Sequence, residues 1–300
     1  MSIFPTGGNG SSLDHAKVTV PELMQRKTLA AGSQYKKITC LTAYDYPTGR
    51  LVDEAGVDVV LVGDSLAMVM LGHDSTLPLT LEEALHHTKA VRRGVARGLV
   101  VADMPYGSYH GDINESLRNA MRFVKEAGAE AVKLEGGERR LELIARLTEA
   151  VIPVMGHIGL TPQSLNALGG YRVQGKTPTG AEQLLRDAKG VEAAGAFAIV
   201  LEAIPRELAA EITTAVEIPT IGIGAGPDCD GQVLVLHDML GLTFQNAPKF
   251  ARRYANIGEI ISKAVREYCA DVQSGSFPTD AESYHAPANV KGRKTIAIAR

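Results

Sequence analysis

The stretch VDVVLVGD (57–64) is an unbroken apolar run that ends on an acid, and two runs of the same kind follow, LVVADMP (99–105) and AEAVKLEGG (129–137). Their acids are Asp64, Asp103 and Glu135. Continuous runs of Val, Leu and Ala are typical of strands buried on both faces of a parallel sheet. A charge beside such a core is strongly disfavoured unless a cation or hydrogen bonds compensate it. Three such ends meeting on one side of a barrel would hold a hard metal ion.

The same alternation continues along the chain and predicts the fold class. Further apolar runs lie at 37–45, 152–159, 196–203, 218–226 and 233–240. Amphipathic stretches between the runs predict helices, such as 80–93, where Thr80 and Glu83 form a capping-box signature. Eight βα steps with short loops favour a single-domain (βα)8 TIM-type barrel over a doubly wound sheet. One step does not fit, because only PDCDGQ separates the last two runs; either that helix is degenerate or 233–240 is partly helical.

Composition and the chain ends set the limits of the domain and exclude several classes of protein. The barrel is predicted over residues 20–280, after a disordered lead (1–19) and before a mobile tail (281–300). A net charge of −3 gives no basic surface for nucleic acid or an anionic membrane. No apolar run is long enough for a membrane-spanning helix. Three widely spaced cysteines without a CxxC motif favour a reducing cytoplasm.

Polar residues at the carboxyl ends of barrel strands meet at one mouth, which makes the three acids candidate metal ligands. Carboxylates without a thiolate or a His-x-x-x-His pair favour magnesium or manganese over zinc. Such an ion can chelate an α-keto acid, acidify the neighbouring C–H bond as a Lewis acid and stabilise the resulting enolate. Each acid taken alone could instead cap the next helix. Three in successive strands favour the functional interpretation.

Two more residues stand at strand ends with a possible chemical role. Lys133 lies two residues before Glu135, so a strand would place both on one face and the ammonium could share the anion pocket. The alternative for Lys133 is an ordinary ion pair. Glu202 follows the apolar run AIVL (198–201), where desolvation would raise its pKa towards neutrality and suit it to act as a general base. Its alternative is a structural ion pair.

Several longer motifs resemble the 3-methyl-2-oxobutanoate (ketopantoate) hydroxymethyltransferase family over about residues 20–280, in order. They are TAYDYP (42–47), VGDSLAMVMLGHDSTLP (62–78), ADMPYGSY (102–109), VKLEGG (132–137), GHIGLTPQS (156–164), GGYRVQGK (169–176), LEAIP (201–205) and IGIGAGPDCDGQVLVLHDMLG (221–241). The resemblance implies a barrel of the phosphoenolpyruvate/pyruvate type. It also implies transfer of a hydroxymethyl group from 5,10-methylenetetrahydrofolate to 3-methyl-2-oxobutanoate, giving 2-dehydropantoate in pantothenate and coenzyme A biosynthesis. The family further suggests a homo-oligomer, often a decamer.

The resemblance also assigns roles to residues of this chain. It implies a Mg²⁺ site formed by Asp64, Asp103 and Glu135. It implies keto-acid contacts from Asp64, Ser65, Asp103, Lys133 and His157. Glu202 matches the family's proton acceptor, whereas Asp45, equally suited on physical grounds, is not a ligand there. Two rival functions stay open: a magnesium-dependent C–C lyase or aldolase of the same superfamily, and a non-catalytic metabolite-binding barrel.

Overall fold

The structure is a computed structural model that describes residues 16–28, 36–244 and 247–285. The chain divides into two compact units, one up to Tyr254 and one from Ala255 onward. In the first unit eight parallel strands close into a barrel in chain order. This confirms the predicted (βα)8 fold. The predicted domain limits stay a prediction, since residues 1–15 and 286–300 lie outside the described residues.

The first seven apolar runs each contain one strand of the barrel, shorter than the run, and the eighth strand overlaps only the start of the eighth run. They are β1 Ile38–Thr42, β2 Val59–Val62, β3 Leu99–Asp103, β4 Ala131–Glu135, β5 Val154–Gly159, β6 Ala198–Glu202, β7 Thr220–Ile223 and β8 Gly231–Leu234. The barrel closes through parallel pairing of β8 with β1, in which Gly231 lies opposite Ile38.

The helices of the first unit follow the strands, and several occupy the predicted positions. They are α1 Val20–Thr28, α2 Tyr46–Glu54, α3 Leu66–Val69, α4 Leu81–Gly94, α5 Ile113–Lys125, α6 Leu141–Glu149, α7 Leu165–Leu168, α8 Pro178–Ala193, α9 Arg206–Ala215 and α10 Leu236–Leu240. Thr80 and Glu83 form the predicted capping box at the start of α4.

Between the seventh and eighth runs both predicted alternatives occur together: the connecting helix is absent and the eighth run is partly helical. Residues 224–230 join β7 to β8 without a helix, and the run 233–240 is largely the short helix α10. The alternative that 233–240 is partly helical is therefore confirmed, and His237 and Asp238 lie on α10.

The strands separate two apolar cores, which explains why the runs are apolar without alternation. One core fills the barrel and includes Val59, Val101 and Met155. The other lies between strands and helices and includes Val60, Val100 and many helix residues. Strands buried on both faces need apolar side chains at every position. The buried charged and histidine side chains of β3, β4 and β5 lie between the middle and the carboxyl end of each strand, where the site lies.

The second unit contains α11, Ile257–Ser274, which ends at Gly275 in the left-handed conformation (φ 75°). Its apolar residues, such as Ile260 and Val265, are exposed. Within the described residues, no helix combines the length and the apolar character needed to span a membrane.

Candidate active site

Strand register brings four of the predicted residues together at the carboxyl end of the barrel. Asp103 on β3 lies opposite Lys133 on β4, and Glu135 on β4 lies opposite His157 on β5. All four are buried. The Nζ of Lys133 lies 2.6 Å from Oδ1 of Asp103 and 3.2 Å from Nδ1 of His157. Oε1 of Glu135 lies 3.5 Å from the same Nδ1, so Lys133 and Glu135 share a face as expected.

Asp64 joins this group although it lies two residues beyond the end of β2. Its backbone N–H donates to Oδ2 of Asp103 at 3.0 Å. Its own Oδ2 accepts from Nε2 of Gln163 at 2.8 Å, and the backbone N–H of Gln163 donates to Oε2 of Glu135 at 3.0 Å. The three acids predicted from the strand ends therefore belong to one buried hydrogen-bonded network.

The charges of this network are unbalanced, with Lys133 as the ammonium among three carboxylates. Burial alone would lower the pKa of Lys133, but Asp103, Glu135 and Asp64 raise it, so it stays a cation. Burial raises the pKa of Asp103, and Asp64 adds to this while Lys133 opposes it. Burial and the negative charge of Asp64 hold the pKa of Glu135 well above its usual range. A further cation here would relieve this repulsion.

The side-chain oxygens of this network have the charge and chemistry that a divalent ion requires. Oxygen-only donors and excess negative charge suit Mg²⁺ or Mn²⁺, and the buried Oε1 of Glu135 has no hydrogen-bond partner. However, over the described ranges no three acid, histidine or cysteine side chains are close enough to form a metal site by themselves. The residues fit an ion that keeps water or ligand oxygens in its coordination sphere, as Mg²⁺ commonly does.

His157 connects this network to Glu202, the predicted base at the end of β6. Burial and the adjacent ammonium of Lys133 hold the pKa of His157 well below its usual value, so the ring is neutral. Lys133 can only donate, so Nδ1 of His157 is the acceptor and Nε2 carries the proton. That Nε2 lies 3.2 Å from Oε2 of Glu202. Burial raises the pKa of Glu202 to about 7, so it can accept or release a proton near neutrality.

The backbone around Glu202 is held in an unusual conformation. Ala203 has a φ of 46°, which is uncommon for a residue with a side chain. Its N–H donates to the carbonyl of Ile223 and its carbonyl accepts from Gln174, both at 2.9 Å. Gly159, with a φ of 93°, passes so close to the carbonyl of Glu202 that a Cβ there would collide with it. The end of β6 is therefore fixed by both neighbouring strands.

Ser65 and Asp45 lie beside the network but differ in what they contact. The Oγ of Ser65 lies 2.8 Å from the hydroxyl of the buried Tyr44. A Cβ at Gly63 would lie 2.9 Å from that Oγ and 3.5 Å from Oδ2 of Asp103, so Ser65 borders the acids. Asp45 instead caps α2, where Oδ1 accepts from the N–H of Thr48 at 2.7 Å.

Sequence reasoning missed three polar residues that build this site. Gln163, Tyr109 and Tyr44 are all buried and hydrogen-bonded to it or to Ser65. They lie within the motifs quoted above, but their own spacing carries no chemical signal. The glycines of IGIGAG (221–226) serve close packing, as a Cβ at Gly224 would lie 2.6 Å from Phe250.

The chain is similar to one family of known proteins and shares its fold with others. A family model described as ketopantoate hydroxymethyltransferase matches residues 17–280. A 3-methyl-2-oxobutanoate hydroxymethyltransferase from Koribacter versatilis is 61% identical over 91% of this chain and 90% of the relative. One from Carboxydothermus hydrogenoformans is 56% identical over 89% and 95%. A solved 2,3-dimethylmalate lyase of the PEP mutase/isocitrate lyase superfamily has a TM-score of 0.54 at 17% identity, covering 87% of this chain and 90% of its own, which shows a shared fold.

Proposed function

The chain belongs to the ketopantoate hydroxymethyltransferase family, and on that premise we propose that it transfers a hydroxymethyl group to C3 of 3-methyl-2-oxobutanoate, giving 2-dehydropantoate. We propose 5,10-methylenetetrahydrofolate as the donor and Mg²⁺ as the ion. The observation that carries the proposal is the buried group of three carboxylates beside a neutral histidine and a carboxyl whose pKa is about 7. This combination suits removal of a proton next to a carbonyl.

The substrate is proposed to bind against the network at the end of β3 and β4. Its keto oxygen and carboxylate would face Lys133 and the ion, with Asp64, Asp103 and Glu135 holding that ion and Ser65 and His157 lining the pocket. A bound divalent ion supplies Lewis acidity at the keto oxygen. Lys133 adds a fixed positive charge, which is worth more in a buried site than in water.

Glu202 is proposed to accept the proton from C3. Its pKa of about 7 leaves it partly ionised at neutral pH, and the neutral ring of His157 lies beside it, with Nε2 3.2 Å from Oε2 of the carboxylate. The electrons of the broken C–H bond then form the new C–C bond to the methylene carbon of the donor, as the bond from that carbon to N10 breaks. Water next replaces N5 at the same carbon and supplies the hydroxyl group, as the bond to N5 breaks. The proton held by Glu202 and one proton of the water go to N10 and N5, and tetrahydrofolate leaves.

The test is product formation from 3-methyl-2-oxobutanoate with and without methylenetetrahydrofolate, before and after treatment with a chelator. We expect 2-dehydropantoate only with both substrates, loss of activity with the chelator and recovery when Mg²⁺ is returned. Absence of product with both substrates and Mg²⁺ present would overturn the proposal. Cleavage of hydroxy acids without folate would indicate the lyase alternative, and keto-acid binding without C3 proton exchange would indicate a binding protein.

Two further properties are proposed with the function. The family resemblance supports a homo-oligomer, specifically a decamer, which the mass of the native protein in solution would test. A cytoplasmic location is supported by the cysteines, since Cys40, Cys229 and Cys269 are all free.

A further inference from the structure

Gln163 is the residue that connects the candidate metal ligands to one another. It lies in the 3₁₀ turn Pro162–Ser164 after β5 and is 5% exposed. Its backbone N–H donates to Glu135, and its side-chain Nε2 donates to both Asp64 (2.8 Å) and the carbonyl of Met104 (3.0 Å). Both protons of the amide nitrogen are thus used, each on an acceptor.

Tyr109 completes the network and fixes the orientation of the amide. Its hydroxyl donates to Oε1 of Gln163 at 2.7 Å and accepts from the backbone N–H of Glu135 at 3.1 Å. If the amide of Gln163 were reversed, its oxygen would face the carboxylate of Asp64 and the carbonyl of Met104, both of which are acceptors. The amide therefore has one favourable orientation.

The chemistry of an amide distinguishes Gln163 from a cation in the same place. A lysine or arginine would also hold Asp64, but it would neutralise the negative charge that a divalent ion needs. The amide donates a hydrogen bond without a full charge, so Asp64 and Glu135 stay fixed while their attraction for a cation is retained. Partners of this kind, behind the ligands, orient them and tune metal affinity.

We propose that Gln163 is a positioning residue that sets the relative placement of Asp64 and Glu135 for a divalent cation, with Tyr109 holding its amide in register. The inference rests on the cation of the proposed function. It concerns residues with no assigned role, and it can be tested by ion binding alone, without turnover.

The experiment measures Mn²⁺ binding by calorimetry to the parent protein and to Gln163→Met, which keeps the side-chain length and removes the amide. We expect Mn²⁺ affinity to fall roughly 10- to 100-fold, as is typical when such a partner is lost. Tyr109→Phe removes the hydrogen bond to Oε1 of Gln163 but leaves the hydrogen bond from Gln163 to Asp64. A smaller loss of Mn²⁺ affinity, roughly 3- to 10-fold, is therefore expected. This second variant keeps the test valid if Gln163→Met fails to fold.

A matched control is Gln183→Met, since Nε2 of Gln183 also donates to an aspartate, Asp187, at 3.1 Å. That variant should bind Mn²⁺ like the parent. Folded Gln163→Met or Tyr109→Phe with affinity within twofold of the parent would overturn the inference, and so would an equal loss in Gln183→Met. A parent that binds Mn²⁺ but forms no product overturns only the proposed function, whereas a parent that binds no Mn²⁺ overturns both.

Discussion

Both ends of the barrel carry buried or half-buried acids at strand termini, but among the described residues only the amino end supplies a basic partner for each acid. At the amino end, Asp58 precedes β2, Glu130 precedes β4 and Asp230 precedes β8. At the carboxyl end, Asp64 follows β2 and Glu135 ends β4. Two strands therefore carry an acid at each end. The ends differ in the partners of those acids.

Each acid at the amino end pairs with one or two basic side chains. Asp58 lies 3.0 Å from both Arg26 and Arg97. Glu130 lies 2.7 Å from Lys17 and 3.1 Å from Arg92. The ion pair of Asp230 is with Lys27, at 2.7 Å.

These acids also accept backbone N–H groups from neighbouring strands, for instance Asp58 from Thr39 and Glu130 from Val100. This end of the barrel is a closed structural network. Acids at the amino end of a barrel generally serve stability.

The pKa of Asp58 at the amino end and the pKa values of Glu135 and Glu202 at the carboxyl end move in opposite directions, which shows what the pairing does. Burial alone would raise the pKa of Asp58, but hydrogen bonds and charge from Arg26, together with Thr39, outweigh it and hold the pKa at about 2. Glu135 and Glu202 at the other end have raised pKa values. A buried acid therefore stabilises the fold where basic side chains lie beside it. Where basic side chains are scarce, burial instead raises the pKa of the acid and suits it to proton transfer.

The largest expected effect is on turnover at the carboxyl end. Glu202→Gln should lower both turnover and the exchange of the C3 proton with solvent by about 10²- to 10⁴-fold, since it removes the proposed base and keeps its shape. Exchange of the keto acid in D₂O, followed by NMR, measures this. The control is Glu207→Gln on the exposed start of α9, which should exchange like the parent. Unchanged exchange in Glu202→Gln would show that the base is another group.

The second prediction compares the two acids that flank β2. Asp58→Asn leaves two guanidinium groups without their buried partner and should lower the free energy of unfolding by about 3–5 kcal/mol. Asp64→Asn removes one charge from a group already rich in carboxylates. It should change the free energy of unfolding by less than about 1 kcal/mol and should lower Mn²⁺ affinity.

Denaturant unfolding and Mn²⁺ calorimetry measure these two effects. The folded fraction of Asp58→Asn should keep parental turnover. If Asp64→Asn were the less stable variant, the proposed difference between a stabilising amino end and an ion-binding carboxyl end would be wrong.

The third prediction concerns pH. The pKa of Asp58 is lowered in the folded state, so its stabilisation, about 2 kcal/mol, is present above about pH 4 and is lost as pH falls towards 2. The pKa of Glu202 is raised to about 7, so its contribution has the opposite sign, present below about pH 4.5 and lost as pH rises through 7.

The free energy of unfolding, measured from pH 2 to 8, should rise with pH in the acid range because of Asp58 and fall towards neutral pH because of Glu202. Asp58→Asn should flatten the acid slope and Glu202→Gln the neutral one. If Glu202→Gln leaves the slope around pH 6 intact, Glu202 is not the group that titrates there.

The smallest expected effects come from two non-glycine residues with positive φ, one near each end. Val151, just after α6, has a φ of 62° and is 88% exposed, so Val151→Gly should relieve strain and raise the free energy of unfolding by about 1 kcal/mol. Ala203→Gly should change stability less but loosen the segment after Glu202 and lower turnover severalfold. Thermal unfolding measures the change in stability, and exchange of the C3 proton measures the change at the site. A Val151→Gly variant with lower turnover than the parent would contradict the prediction.

The position of a candidate site residue could be predicted where it follows a single buried strand, and could not be predicted where distant segments of the chain meet. The grouping of Asp103, Lys133 and Glu135 could be read from the sequence because an acid after a buried run must lie at the strand end. Gln163 could not be identified, because its partners Asp64 and Tyr109 are 99 and 54 residues away in the chain. The sequence left 233–240 open between a strand and a partly helical segment, because an apolar run of eight residues suits a strand and a short helix equally.

The amino-acid sequence by itself determined the barrel, its strand order and the end at which the acids gather, because apolar periodicity and chain direction are local properties. Only the tertiary structure decided which acids are paired with cations, that His157 is neutral and that the pKa of Glu202 lies near 7. Those properties depend on burial and on charges a few ångströms away. Such distances are set by the packing of strands and loops that the chain brings together only on folding.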